Sequence, residues 1–270
     1  MTGFLFFLAT SVAAAILLVT LVMAHHALHP PRRTAAYALR RGLPIDPGAL
    51  GLQFEEWTHQ SSRRAPISVW DVAPAAPAKD SAGFAASGQH QLVSALCIHG
   101  WGQSRIDLLA LMREFLPCFD RVLMYDRPGH GESPGHALLG DPRELHDLSS
   151  IALQLEGAAV VVIASGSAAG LAGALAERPP ETSLRGIILV NSIPNDLAAL
   201  RSDLRERRWP LQPFLSFVLI VLRIVGIRPP RCAESASPGG VPVLRLSLKA
   251  NEKIPDGEMS RIRDFILKLR

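Results

Sequence analysis

"VVVIASGSAAG", residues 160–170, is the stretch on which the fold turns. A run of β-branched and apolar residues stops at Ser165-Gly166-Ser167, and an alanine-rich segment follows. Valine and isoleucine favour a buried strand, and alanine and leucine favour a helix. The composition predicts a strand over 158–165, a very tight turn with Ser167 at the bend, and a helix over 167–177. Ser167 is then either a nucleophile held on a sharp turn or an inert serine among small residues.

The same rhythm extends outward. Strands are predicted over 92–100, 121–126, 185–191 and 241–248, and helices over 105–116, 143–156 and 257–270. Strands that are apolar throughout and alternate with helices imply a parallel sheet covered on both faces. Right-handed crossovers place the C-terminal ends of those strands on one edge, where such sheets build their sites. "LQFEEWTHQ" (52–60) and "PISVWDV" (66–72) read as a hairpin, and 73–89, rich in Ala, Pro and Ser, as a flexible excursion. Residues 194–240 interrupt the alternation. Within them 209–230 is strongly apolar, yet Pro210, Pro213 and Arg223 leave too short a clean run for a membrane span. A helical lid with an apolar face that touches lipid is the expectation there.

Three loops at predicted strand ends carry a resemblance: "HGWGQS" (99–104), "YDRPGHGES" (125–133) and "IASGSAAG" (163–170). In order and spacing the chain resembles the α/β-hydrolase superfamily over about residues 50–270. The resemblance implies a mostly parallel α/β sheet with a small helical lid, and a serine hydrolase of the esterase or lipase kind. It implies Ser167 as nucleophile on a strained elbow, with backbone N–H donors of Trp101 and Ala168 as the oxyanion hole. The elbow departs from the usual G-x-S-x-G, since Ser165 and Ala169 replace the outer glycines. His99 is expected to orient its loop, and Asp126, His130 and Ser133 to be structural.

A serine nucleophile needs a base, and the base an orienting group. The family order is Ser, acid, His. The usual acid segment reads "LKANEKIP" (248–255) here, with Asn251 where the aspartate belongs; Asp196, after the strand at 185–191, is the second candidate. All nine histidines lie at or before His146, so the base is left unassigned. Two expectations follow: a serine hydrolase incomplete or divergent towards Arg270, or a catalytically inactive relative that binds an apolar ligand or a protein partner.

The N-terminus adds a membrane. Residues 4–24 hold no charge and as a helix span about 30 Å, the hydrocarbon thickness. Positive charge follows in "HHALHPPRR" and at Arg40–Arg41, which places that flank inside. The expected organisation is a transmembrane anchor over 1–28, a linker over 29–50, and a cytoplasmic domain over 51–270 with the lid at about 194–240. Cleavage of a secretory signal near Ala24 is the rival reading. Mean hydropathy of +0.20 agrees with membrane contact. The net charge of +4 comes without interleaved aromatics, which argues against nucleic acid. Three scattered cysteines with no CxxC argue against a disulfide framework. No cofactor or metal is called for. The expected partners are the membrane, through the anchor and the lid at 209–230, and a small acyl or lipid-like substrate.

Overall fold

The computed structural model describes residues 1–61, 65–73, 92–155, 158–177, 184–209, 214–228, 238–248 and 254–269. Asn251, most of the excursion at 73–89 and parts of the lid segment lie outside the described residues.

Seven strands form one sheet: β1 (Phe54–Gln60), β2 (Pro66–Val72), β3 (Val93–Ile98), β4 (Arg121–Tyr125), β5 (Ala159–Ser165), β6 (Leu184–Val190) and β7 (Val243–Leu246). Their order is β1-β2-β4-β3-β5-β6-β7. β2 pairs antiparallel with both β1 and β4, and every other pairing is parallel. β3 and β5 sit at the centre, buried on both faces, which is why their sequences are continuously apolar.

Alternate residues feed opposite faces. Ala95, Cys97, Val161 and Ile163 pack into one core with α3 (Arg105–Phe115) and α8 (Asp256–Leu267). Leu96, Ile98, Val160 and Val162 pack into the other with α4 (Pro142–Ala152) and α5 (Ala169–Glu177). The mostly parallel sheet with helices on both faces is the architecture that the alternation predicts.

A third apolar cluster lies beyond the C-terminal edge. The last turns of α1 (Thr2–Leu28) supply Met23, Ala24 and Ala27. Between β6 and β7, α6 (Asp196–Glu206) supplies Leu200 and Leu204, and α7 (Phe214–Ile224) supplies Val218 and Leu222. Segment 29–50, expected as a linker, is more than a spacer. It carries the short α2 (Ala35–Arg40), and Ala38 is fully buried against the first core, with Leu43, Ile45 and Leu50 packed beside it.

Candidate active site

The loops after β3, β4, β5 and β6 converge on Ser167. After β3 the chain is fixed locally: Gln103 Oε1 accepts the N–H of Gly100 at 2.8 Å, and Ser104 and Asp107 form a capping box that starts α3. The N–H of Trp101 therefore has a defined direction, and it donates to Ser167 Oγ at 2.8 Å.

β5 ends at Ser165, and Gly166–Ala168 make a single 3-10 turn before α5. Ser167 is the middle residue of that turn, but it is not the strained residue of the expected elbow. Gly166 holds the left-handed backbone, with φ +57°, and Ser167 does not. Glycine takes this conformation without the Cβ penalty that a serine would meet. A Cβ on Gly166 would lie 3.7 Å from Gln103 Oε1, an ordinary contact, so backbone conformation rather than space calls for glycine there.

Ser167 Oγ donates to Asp196 Oδ1 at 2.6 Å. Asp196 opens α6 behind the Asn195 cap, whose side chain accepts from the N–H of Ala198. Of the two acid candidates, the structure brings Asp196 to Ser167, while Asn251 is outside the described residues. Asp196 in turn holds Arg127, with Nη1 to Oδ1 at 3.1 Å and Nη2 to Oδ2 at 2.5 Å. The Nε of Arg127 donates to Glu144 Oε1 at 2.6 Å. One buried guanidinium thus sits between two buried carboxylates. Burial pushes the Asp196 carboxyl up, but the Arg127 charge and the hydrogen bonds from Arg127 and Ser167 outweigh it and hold Asp196 below its ordinary value. At Glu144 burial wins over Arg127, and the carboxyl is raised.

The histidines are structural in their contacts. His99 Nδ1 lies 2.8 Å from the Gly100 carbonyl, and its Nε2 accepts the N–H of Arg127 at 3.0 Å, so the proton resides on Nδ1. His130 Nδ1 meets the carbonyl of Pro128, while its buried Nε2 has no hydrogen-bond partner among the described residues. Burial and then the Arg127 charge depress His130 to about 3. Ser133 donates to the Asp126 carbonyl and accepts the N–H of Ser68, while the Asp126 carboxylate accepts the N–H groups of Arg105 and Glu132. Ala168 is fully buried in the 3-10 turn. Among the described residues no His, Cys, Asp or Glu group is set to hold a metal ion.

Arg127 and Glu144 were not singled out by the sequence reading. The available signal was an arginine directly after the apolar strand "RVLMYD", where a charge that follows a buried strand needs buried partners.

The site is covered from above. Trp101 is 8% exposed and Ser167 3%. The indole N–H of Trp101 donates to the Ala27 carbonyl at 3.1 Å, and the His26 ring stands edge-on to Trp101 at 5.5 Å. His26 Nε2 pairs with Asp203 of α6 at 2.7 Å, and the N–H of Ala137 donates to the Leu28 carbonyl at 2.7 Å. The end of α1 is built into the roof of the site.

Against known proteins, the family model described as "Alpha/beta hydrolase family" matches residues 95–249, more than half of the chain. No curated protein matches the sequence. Among solved structures the chain is similar to the Pyrococcus furiosus esterase Pf2001, at 14% identity and a TM-score of 0.57, covering 89% of this chain and 97% of that one. It is also similar to an esterase from Exiguobacterium antarcticum, at 19% identity and a TM-score of 0.40, over 51% of this chain and 46% of that one. At 14% identity the likeness to the Pyrococcus furiosus esterase is one of fold.

Proposed function

The chain belongs to the alpha/beta hydrolase family, and from that premise we propose that it is a membrane-anchored serine hydrolase that cleaves an acyl ester or a lipid-like substrate. The observation that carries the reading is Ser167 Oγ, held between the Trp101 N–H and the Asp196 carboxylate. In this reading Oγ attacks the acyl carbonyl and its proton passes to Asp196 Oδ1. The Trp101 N–H, released from Oγ, then donates to the oxyanion that forms. Collapse of the tetrahedral intermediate breaks the ester C–O bond, and Asp196 returns the proton to the leaving alkoxide. Water then hydrolyses the acyl ester on Ser167. Arg127 positions Asp196 and, by depressing its basicity, slows the first proton transfer. Substrate entry requires Trp101 and the end of α1 to move.

α1 supports the anchor part of the reading. It is 27 residues long with a mean hydropathy of 2.6 in its most apolar window. Met23, Ala24 and Ala27 are nonetheless buried in the domain, which favours a retained helix over cleavage near Ala24. The arginines that follow support a cytoplasmic domain by the positive-inside rule.

A second reading is favoured by the apex itself. Gly166 holds the left-handed position, and the Ser167 hydroxyl is locked to an aspartate that is already ion-paired. That arrangement suits a family member that binds an apolar acyl ligand without turning it over. A fluorophosphonate probe on membranes holding the full chain separates the two. Labelling that disappears in Ser167→Ala and weakens in Asp196→Asn is the expected result. Labelling that survives Ser167→Ala overturns Ser167 as nucleophile. An unlabelled protein whose melting temperature rises with a long-chain acyl ligand supports the second reading.

A further inference from the structure

α7 has two apolar faces, and the fold uses one. Leu215, Val218 and Leu222 are buried, and Val218 and Leu222, completely so, lie in the cluster shared with α1 and α6. On the other side Phe217, Ile220 and Ile224 recur at i, i+3 and i+7, and are 41%, 52% and 78% exposed. Val225 extends the stripe. A charged or polar face would be expected there if water covered it.

The neighbouring surface says what does cover it. α7 packs along α1, and the exposed side of α1 is also apolar, with Leu17, Leu18, Leu21 and Val22 all open. The two helices share a buried seam through Val218, Leu222, Met23 and Ala27, so their exposed stripes lie on one packed helix pair. Arg223 and Arg228 flank the α7 stripe and are exposed, as cations at a headgroup layer would be.

We propose that α7 is an interfacial helix that lies in the phospholipid leaflet crossed by α1, with Phe217, Ile220, Ile224 and Val225 facing the acyl chains. The inference rests on the anchor reading above and adds a second, independent contact with the bilayer. Its consequence is positional. α1 and α7 roof the site through Trp101, so Ser167 lies directly beneath the leaflet, and an amphiphile enters from lipid rather than from water.

The test uses the full chain in phosphatidylcholine nanodiscs, with the photo-crosslinker p-benzoylphenylalanine placed singly at Leu17, Ile220, Ile224 and the exposed strand residue Glu55. Lipid adducts, read by mass, are expected at positions 17, 220 and 224, several-fold above Glu55. Adducts at 17 with none above the Glu55 level at 220 and 224 overturn the α7 assignment and leave the anchor standing. A crosslinked dimer through 220 or 224 overturns it in favour of a second copy of the chain. Adducts at none of the three overturn the anchor reading together with the inference.

Discussion

At the scale of single residues, the molecule depends on Arg127. Its guanidinium is fully buried and satisfies two carboxylates, Asp196 and Glu144, that water does not reach. A buried ion pair is weak evidence for stability, because desolvation consumes most of the Coulomb gain. Removing one partner is different, since it strands the others. Arg127→Met is expected to cost about 3–5 kcal/mol, the range for an orphaned buried charge. Adding Asp196→Asn to that variant removes one stranded carboxylate and restores part of the loss. Thermal melts of the single and double variants check both statements. The same pairing explains why Ser167 is so firmly held: its hydroxyl donates to an oxygen whose carboxylate Arg127 has already oriented.

At the scale of elements, two glycine turns shape the site edge, for different reasons. Gly166 is left-handed but open, its nearest would-be Cβ neighbour standing 3.7 Å away. Gly131 is left-handed, with φ +47°, and a Cβ there would come within 2.3 Å of the Asp126 carboxylate. That carboxylate is pinned by the N–H groups of Arg105 and Glu132, so it has no easy retreat. Gly166→Ala is expected to cost only the left-handed penalty, about 1–2 kcal/mol. Gly131→Ala adds the overlap, roughly 1–3 kcal/mol more. Chemical denaturation that ranks Gly131→Ala as the milder change would contradict this account. The elements above the edge form a separate layer, in which α1, α6 and α7 meet over Trp101.

At the scale of the whole molecule, acid tests the interior. His130 is held neutral by burial and by Arg127, with its pKa depressed to about 3 from 6.5. The unfolded chain binds that proton below about 6.5 and the folded chain does not. Stability from this site is therefore complete above pH 6.5 and falls as pH drops towards 3. His99 acts in the same direction. Asp126 opposes them: burial raises it from 3.8 to about 6, so between those values the folded chain holds the extra proton. His130→Asn keeps a donor for the Pro128 carbonyl and removes one titration. Between pH 4 and 6 the stability slope of the variant should be shallower than wild type by about one proton, or about 1.4 kcal/mol per pH unit. Equal slopes in denaturant melts across that range would refute a neutral buried His130.

Much of this was legible in the sequence. The largely apolar runs at 92–100 and 158–165 read as buried strands, and the sheet has strands at Val93–Ile98 and Ala159–Ser165 there, covered on both faces. The three loop motifs located the site edge, and the charge-free run at 4–24 lies wholly within the long apolar helix Thr2–Leu28. Local rules suffice there, since periodicity and composition act within a few residues. Tertiary structure alone decided the rest. It put the left-handed bend on Gly166, chose Asp196 as the partner of Ser167, buried Arg127 between two carboxylates, and laid the end of α1 over Trp101. The last three join residues from separate elements, most of them tens of residues apart. Which partner a buried charge or hydroxyl finds is set by how the layers close, and no local pattern carries that information.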